Sequence, residues 1–464
     1  MNRLLLPLSL LFFFFAPLSD AHSQQPPRWT SGELHEAIEK LNFLGSALYV
    51  AAHPDDENTA LIAYLANDLK ARSAYLSMTR GDGGQNLAGP EIRELLGLIR
   101  TQELLAARRI DGGIQRFTRA NDFGYSKHSD ETLEIWNKEA VLSDVVWAIR
   151  NLRPDIIVNR FDHESAGRTH GHHTASAILS YEAFDLAGDP DAFPEQLQYV
   201  EPWQPTRLYY NTSWWAYGSR EAFEKIDKSD MAAVDVGVYY PLMGKSNTEL
   251  SAQSRSMHKS QGFGAYLSRG RDMEYLKILK GNLPEDKNDL FGGINTTWER
   301  VPGGAPISAL LSEAAREFNF EDPAASVPKL LEVQRMIDRL PDGYWKSVKA
   351  KEINRVIQGC LGLYAEAVSS NRTATPGEEV PLALEVVNRS AVEVKLNSMT
   401  VLPAGTRINF EAAVLENNRP FTLDTLASLP SEMDYTTPYW LRHPWELGMY
   451  QVENQQSIGL PEKD

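Results

Sequence analysis

Histidine and carboxylate side chains concentrate in two short stretches of this 464-residue sequence. The first is AHPDDE, which ends an apolar run and contains His53, Asp55, Asp56 and Glu57. The second is GRTHGHHTAS, which holds three of the ten histidines, His170, His172 and His173. Adjacent carboxylates repel each other, and a divalent cation stabilises them in the ionised form. Since imidazole and carboxylate groups are common zinc ligands, the two stretches together predict a metal site.

Each stretch alone has a simpler interpretation. Asp55, Asp56 and Glu57 open a predicted helix, where acidic groups offset the macrodipole and cap amides, and HGHH alone fits a solvent-exposed turn. The spacing His53-x-Asp55 with a distant histidine also fits the facial triad of non-haem iron(II) oxygenases. Many of those enzymes carry the motif in an all-β jelly roll, whereas AHPDDE lies between a strand and a helix, which disfavours the iron interpretation.

Predicted strands and helices alternate between about Leu44 and Glu299. The predicted strands are Ser46–Ala52, Ser73–Thr79, Asp155–Arg160 and Arg207–Asn211, and the predicted helices are Glu57–Lys70, Glu91–Arg109, Glu131–Asn151 and Thr174–Leu186. We therefore expect an α/β fold with a Rossmann-like, mostly parallel sheet flanked by helices. Ligands bind at the carboxyl ends of the strands in such sheets. His53 and Gly81 lie at these ends, and His170 lies one loop beyond the third strand.

The hydrophobic period changes along the rest of the chain. Residues 306–367 have apolar positions at helical spacing, whereas VPLALEVVNRS and VEVKLNSMTV alternate apolar and polar residues, as strands do. We expect a signal peptide at 1–23, an α/β domain at 30–300, a helical segment at 301–370 that packs on it or links it onward, and a β-sandwich-like module at 373–464. The module shows no clear closing strand, so it is either small or incomplete.

The amino terminus, the net charge and the cysteine content limit the possible location and partners of the protein. Arg3 precedes the apolar run 4–15, and the small residues at 21–23 suit cleavage, which predicts a secretory signal peptide and a secreted or periplasmic protein. An uncleaved membrane anchor is the alternative; no later segment is apolar enough to span a membrane. A net charge of −16 disfavours nucleic acid as a partner. Cys360 is the single cysteine, which excludes an intrachain disulfide and a cysteine-based zinc cluster.

The motif AHPDDE at a strand end, followed much later by an HxxH element, resembles the PIG-L (LmbE-like) family of zinc-dependent N-deacetylases. TRGDGGQN, residues 79–86, resembles the loop after the second strand in that family. RTQELLAARRI, residues 100–110, is similar to a family helix that often carries an arginine and a glutamate. The resemblance covers roughly residues 44–300 and rests mainly on AHPDDE, because a glycine loop alone is a weak signal.

The resemblance implies a role for each matching residue. His53 and Asp56 would bind zinc, with His173 as the third ligand. Asp55 would be the general base that takes a proton from zinc-bound water. His170 would stabilise the tetrahedral intermediate or protonate the leaving amine.

Two further residues are expected to bind substrate. Arg100 matches the family's helix arginine. Asp82 lies in a glycine loop that is either a plain turn or a backbone that approaches a ligand, and in the second case Asp82 suits a sugar hydroxyl. The sequence reads HGHH where the family usually has HPDH, so His172 replaces an aspartate that would steer a neighbouring histidine. This departure leaves open the pKa of His170 and whether His172 competes for the metal. Geometry and availability decide between Zn²⁺ and another divalent cation.

We expect an exported, metal-dependent N-deacetylase that hydrolyses the acetamide of an N-acetylated sugar or glycoconjugate through a zinc-bound water. Zinc lowers the pKa of such a water to about 7 and polarises the carbonyl. Two alternatives stay open: another metal-dependent amidohydrolase on the same fold, and a glycan-binding protein with a non-catalytic metal site. Trp214, Trp215 and Tyr217 fit either a sugar-stacking surface or core packing, and the oligomeric state is left open.

Overall fold

The computed structural model of the chain describes residues 28–165, 168–402 and 404–462. The predicted signal peptide, residues 1–23, lies outside these ranges. Within them, no helix combines the length and the apolar composition that crossing a lipid bilayer requires.

The described part of the chain begins with alternating helices and strands, continues with a group of helices and then forms antiparallel strands. The helices are α1 Ser31–Leu41, α2 Thr59–Ala63, α3 Glu94–Asp111, α4 Ser129–Ile135, α5 Lys138–Leu152, α6 Gly171–Leu186, α7 Arg220–Lys225, α8 Asn247–Arg255, α9 Ala305–Arg316, α10 Val327–Asp338 and α11 Tyr344–Cys360. The strands are β1 Ser46–Ala51, β2 Arg72–Ser77, β3 Ile114–Phe117, β4 Ile156–Asn159, β5 Arg207–Thr212, β6 Met231–Asp235, β7 Tyr239–Tyr240, β8 Lys245–Ser246, β9 Met273–Lys280, β10 Tyr364–Ser369, β11 Glu379–Val387, β12 Val394–Val401, β13 Thr406–Leu415 and β14 Phe421–Ser428.

A seven-stranded sheet with the order β3-β2-β1-β4-β5-β9-β6 forms the centre of the molecule. The strands β1 to β5 run parallel, and β9 and β6 pair antiparallel at one edge. The predicted Rossmann-like, mostly parallel sheet is confirmed. The chain runs outward from β1 to β2 and β3 and then crosses to β4 on the other side of β1. The carboxyl end of β1 is therefore a topological switch point, where such sheets bind ligands.

Strand β1 is buried along its whole length. Ala47, Tyr49 and Ala51 pack into the hydrophobic core on one face of the sheet, and Leu48 and Val50 pack into the core on the other face. A strand buried on both faces needs a nearly continuous apolar run, and the sequence has such a run here. The hydrophobic cores on the two faces of the sheet thus hold the carboxyl end of β1, and with it the start of the following loop, in position.

Several boundaries in this domain differ from the prediction. The helix expected after AHPDDE starts at Thr59, with Asn58 as its N-cap. The helix expected over residues 131–151 is divided into α4 and α5, because Asn137 adopts a left-handed conformation and caps α5. Strands β3, β6 and β9 have no counterpart in the prediction: β3 has four residues, and β9, MEYLKILK, interleaves charged and apolar residues.

Helices α9, α10 and α11 form a layer that packs on α1. Leu34, Ile38 and Leu41 of α1 share one hydrophobic core with residues from all three helices. The stretch expected to stay helical up to Ala367 is helical only in part, because α11 ends at Cys360 and the chain turns into strand β10.

The strands after α11 form two antiparallel sheets, β10-β11-β14 and β12-β13. They make up a C-terminal β module, in agreement with the predicted change to a period of two. Successive residues of β11, β12 and β13 alternate between more and less exposed positions along much of each strand. Leu384, Val386 and Ala427 are buried within the module.

Leu429, directly after β14, still donates its N–H to Glu378 O at 2.9 Å, and beyond it the chain leaves this module and reaches the parallel-sheet domain. We call residues 429–462 the C-terminal segment. Its Tyr450 N donates to Arg119 O, in the loop after β3, at 2.8 Å. The sequence assigned all of 373–464 to one β module, whereas the structure places its strands before residue 429 and docks the C-terminal segment on the α/β domain.

Candidate metal centre

The loop after β1 carries the first cluster. His53 N donates to Asp56 Oδ2 at 2.8 Å, and Asp56 N donates to His53 O at 3.3 Å, so the two residues close a tight turn. The Tyr75 hydroxyl, on β2, donates to His53 O at 2.5 Å. Asp55, at the tip of the turn, has a φ of 100°, which residues other than glycine rarely adopt. Strain of this kind clusters at functional sites, because the surrounding structure must hold it.

Glu57 points away from the turn into the protein. Its Oε1 atom lies 2.8 Å from His258 Nε2 and accepts from Arg108 Nη2 at 3.3 Å, and all three side chains are buried. Burial acts to raise the pKa of Glu57, but His258 and Arg108 outweigh it and lower the pKa to about 2. Its Oε2 atom accepts a hydrogen bond from Asp55 N at 2.9 Å. Glu57 therefore anchors the loop as an ionised carboxylate.

The second cluster lies at the amino end of α6. His170 is the N-cap of this helix, and its Nδ1 accepts a hydrogen bond from His172 N at 3.0 Å. His173 Nδ1 lies 2.9 Å from the Thr169 hydroxyl, which orients the ring. The other ring nitrogen of His173, Nε2, faces Asp56 Oδ1 at 3.6 Å. The amino end of α6 thus meets the loop after β1.

Side-chain atoms of His53, Asp56 and His173 converge at this meeting point. One nitrogen or oxygen from each lies within 4.8 Å of the other two, and His53 Nδ1 is 3.0 Å from Asp56 Oδ2. Two imidazoles and one carboxylate are a donor set of catalytic zinc sites, so these residues fit a divalent ion. The structure brings together the three residues expected to bind the metal from two distant stretches of sequence.

A second group, His53, His170 and His172, also places one nitrogen of each residue within 4.8 Å of the others. His172 is fully buried, and its Nδ1 lies 2.9 Å from His53 Nε2. The ring of His53 therefore stands between His172 and Asp56. Only the group that includes Asp56 supplies a negative charge to offset a dication. His172 is placed to orient the ring of His53, as outer partners of ligating histidines do.

Burial and neighbouring charges shift the titration of these side chains. Burial acts to lower the pKa of His53, but the Asp56 carboxylate outweighs it and raises the pKa to about 9. Burial lowers the pKa of His173 to about 4 and, with the charge of His53, holds that of His172 far below its usual range. Burial acts to raise the pKa of Asp56, but His173 and His53 bring it well below its usual value. An ionised Asp56 and a neutral His173 are the protonation states that metal binding requires, whereas His53 must release its proton when an ion binds.

Asp55 is adjacent to the group of His53, Asp56 and His173 but is not part of it. Burial, together with the charge of Asp56, raises the pKa of Asp55 to about 7. Its side chain is partly exposed. A carboxyl group with a pKa near the working pH both takes and returns a proton, which suits a general base.

The two residues expected to contact substrate are both buried. Arg100 is 3% exposed, and its Nη2 donates to Gln85 O at 2.7 Å. Asp82 is 2% exposed, and its Oδ1 accepts from the Tyr450 hydroxyl at 2.6 Å. Burial raises the pKa of Asp82 to about 6, although the hydrogen bond from Tyr450 opposes this. The structure thus gives Asp82 a partner in the C-terminal segment in place of the expected sugar hydroxyl.

Asp122 is a neighbour of the clusters that sequence reasoning missed. Its Oδ1 lies 3.8 Å from His172 Nδ1, and its N–H donates to Asp82 Oδ2 at 3.4 Å. Asp122 follows strand β3 as His53 follows β1, so the rule on strand ends would have identified it. That inference required β3, which the sequence did not predict.

Two aromatic residues beside the histidines were also missed. Phe161 stacks on His173 with ring centroids 3.9 Å apart, and Tyr125 meets the ring of His170 edge-on at 5.0 Å. Tyr125 is 74% exposed. No local pattern marks either residue, because the stacking depends on how distant loops meet.

The fold and the clusters define an α/β protein with a candidate metal centre at the switch point of its parallel sheet. Residues 48–184 match the model of the PIG-L family, described as GlcNAc-PI de-N-acetylase. The match spans both clusters, and residues 48–184 of this chain form a PIG-L family domain.

Among solved structures, the chain is similar to an N,N'-diacetylchitobiose deacetylase from Pyrococcus horikoshii in complex with its inhibitor MPG. The identity is 18% and the TM-score 0.33, and the alignment covers 47% of this chain and 70% of that one. No curated protein matches the chain.

Proposed function

We propose that the chain is a metal-dependent N-deacetylase that hydrolyses the acetamide of an N-acetylated, GlcNAc-type sugar or glycoconjugate. The observation that carries this proposal is the convergence of His53, Asp56 and His173 within 4.8 Å, next to Asp55, inside a PIG-L domain. The description of that family, a GlcNAc-PI de-N-acetylase, supports the reaction and the sugar.

His53, Asp56 and His173 are the residues that would hold the ion, and Zn²⁺ suits their two nitrogens and one oxygen. A zinc ion bound there supplies a Lewis acid, which polarises the amide carbonyl and makes water more acidic. His172 would hold the ring of His53 through the 2.9 Å contact between Nδ1 and Nε2.

Asp55 acts as the general base. Its pKa of about 7 matches neutral conditions, and its position beside Asp56 lets it face the attacking water without occupying the metal position. The hydrogen bond from Asp55 N to Glu57 Oε2 at 2.9 Å fixes the backbone that carries this carboxylate. Asp55 takes the water's proton as the new C–O bond forms, and it returns that proton to the leaving nitrogen as the C–N bond breaks.

His170 stabilises the oxyanion that develops on the amide oxygen. Burial, together with the charge of His53, lowers the pKa of His170, so the ring is neutral at neutral pH. Its Nδ1 accepts from His172 N, which leaves the ring hydrogen on Nε2. A neutral ring with a hydrogen on Nε2 can donate to an oxyanion, which favours this role over that of a proton donor to the leaving amine.

We also propose that the protein is exported, because residues 1–23 have the features of a cleaved signal peptide. An outside location favours an extracytoplasmic glycan as the substrate. Mass spectrometry of the mature amino terminus tests this, and a chain that keeps residue 1 after export to the medium contradicts cleavage.

The reaction is tested by acetate release from N-acetylglucosamine substrates by the zinc-loaded protein and by Asp55→Asn. We expect release by the wild type and a loss of about 10²- to 10⁴-fold in the variant, with zinc content unchanged. Asp130→Asn, at an exposed acid on α4, is the matched control and should behave as the wild type. Equal rates for Asp55→Asn and wild type, or no acetate from the loaded wild type, would contradict the proposal.

A further inference from the structure

Two adjacent tryptophans lie exposed beside the candidate metal centre. Trp214 and Trp215 begin a 3-10 turn, Trp214–Tyr217, directly after strand β5, and each is 44% exposed. The third aromatic of the turn, Tyr217, packs against Phe223 with ring centroids 5.3 Å apart. The sequence left open whether these three aromatics stack on a sugar or pack in the core. Tyr217 packs inward, whereas the two tryptophans face solvent.

Only one of the two tryptophans is connected to the metal centre. The guanidinium carbon of Arg160 lies 5.5 Å from the centroid of the Trp215 ring. Arg160 follows β4, and the next residue, Phe161, stacks on His173 at 3.9 Å with the rings nearly parallel. Trp214 instead lies 5.6 Å from the guanidinium of Arg220, on α7.

A carboxylate on β9 interacts electrostatically with Arg160. Glu274, on β9, accepts hydrogen bonds from Asn58 Nδ2 at 2.7 Å and from Asn211 Nδ2 at 2.8 Å. Burial acts to lower the pKa of Arg160, but Tyr49, Asp56 and Glu274 outweigh it and raise the pKa. Arg160, Glu274 and Asn58 are all partly exposed. A partly exposed aromatic ring thus lies beside a cation, and the carboxylate of Glu274 acts electrostatically on that cation.

This combination matches the chemistry of a sugar ring. A pyranose has an apolar C–H face, which packs on an aromatic ring, and hydroxyls at its rim, which need charged or amide partners. Trp215 contacts Arg160, and the next residue, Phe161, stacks on His173, so the Trp215 ring lies outside the ring that packs on the candidate metal ligand. A sugar ring stacked on Trp215 would therefore be a neighbouring unit and not the sugar whose acetamide reaches the metal centre.

We propose that Trp215, with the adjacent Arg160, forms a subsite for a second sugar unit, so that the substrate is an N-acetylated oligosaccharide or a glycoconjugate rather than a free monosaccharide. This inference rests on the proposed deacetylase function and specifies its substrate. It assigns Trp215 a role in binding and leaves the chemical step to the residues at the metal centre.

The test compares Trp215→Ala with Trp214→Ala, its matched control of the same residue type and the same exposed fraction. KM and kcat are measured for acetate release from N-acetylglucosamine and from N,N'-diacetylchitobiose. We expect the wild type to prefer the disaccharide, and Trp215→Ala to raise KM for the disaccharide about tenfold with little change in kcat or in KM for the monosaccharide. Trp214→Ala should stay within about twofold of the wild type for both substrates.

A binding measurement separates failure of the subsite from failure of the proposed function. Both sugars are titrated into zinc-loaded Asp55→Asn, alone and combined with Trp215→Ala or Trp214→Ala, with calorimetry as the readout. Tighter disaccharide binding that only Trp215→Ala weakens supports the subsite, even if the wild type releases no acetate. Equal affinity for the two sugars, or equal effects of the two tryptophan variants, would overturn it.

Discussion

The loops after β1 and after β2 resemble each other in sequence, but their side chains have different partners in the structure. Each follows a parallel strand of the same sheet and contains an aspartate, Asp56 in one and Asp82 in the other. Asp56 faces two histidines, and its side chain is 13% exposed. Asp82 is 2% exposed and accepts a hydrogen bond from Tyr450. An acid at a strand end is therefore a candidate ligand only where no other part of the chain covers it.

The C-terminal segment is what closes the loop after β2. Arg80, 1% exposed, donates from Nη2 to Leu460 O at 2.8 Å and to the Tyr439 hydroxyl at 3.1 Å. Its guanidinium also lies 4.4 Å from the ring centroid of Trp440. The C-terminal segment thus packs on the loop after β2, whereas the loop after β1 stays available to a ligand.

The largest effect that separates the two loops is expected in metal binding. Asp56→Asn removes the only carboxylate of the group and should weaken zinc binding by at least about 100-fold, since changes to outer partners alone cost 10- to 100-fold. Asp82→Asn makes the same chemical change in the other loop and should keep the wild-type affinity. Competition with a chelator measures both. Equal losses in the two variants would show that the loops do not differ as described.

A smaller effect is expected where Tyr450 meets Asp82. Tyr450→Phe removes the hydroxyl that donates to the carboxylate and should lower the free energy of unfolding by about 2 kcal/mol at pH 7.5. Urea unfolding measures this, with Tyr435→Phe as the control, because Tyr435 lies in the same segment and is 72% exposed. The loss should be smaller at pH 5.

The sign of this pH dependence follows from the raised pKa of Asp82. The folded state holds the proton up to about pH 6, whereas the unfolded state releases it near the ordinary value of 3.8. The stability that Asp82 contributes therefore falls as the pH rises from about 4 to about 6 and is constant above. At pH 7.5 the buried carboxylate is ionised and depends most on the Tyr450 hydroxyl. An equal loss at both pH values would contradict this account of the pair.

The sequence predicted the loop after β1 well because its determinants are local. The apolar run before His53 defines a buried strand, and the strand's carboxyl end defines where a ligand lies. The pairing of that loop with α6 was also accessible, because HGHH precedes a helix in a βαβ pattern. What the residue types could not decide is that His172 faces the back of His53 while His173 faces Asp56.

The role of Asp82 was inaccessible for a physical reason. Its partner, Tyr450, lies far away in sequence, and only the docking of the C-terminal segment brings the two side chains together. The period-two pattern that identified the β module contains no signal for the point at which the chain leaves it. Strand β3 was missed because four residues carry too little pattern, and Asp122 was missed with it.

One calorimetric titration of Zn²⁺ into metal-free protein tests the identity of the metal ligands most directly. Wild type, His173→Ala and His172→Ala are compared, because the two histidines adjoin in sequence and both lie near His53. We expect one site per chain, a loss of zinc affinity of at least about 100-fold in His173→Ala and a loss of about tenfold in His172→Ala, where only an outer partner is removed. A loss in His172→Ala as large as that in His173→Ala, or wild-type protein that binds no zinc, would contradict this assignment of the ligands.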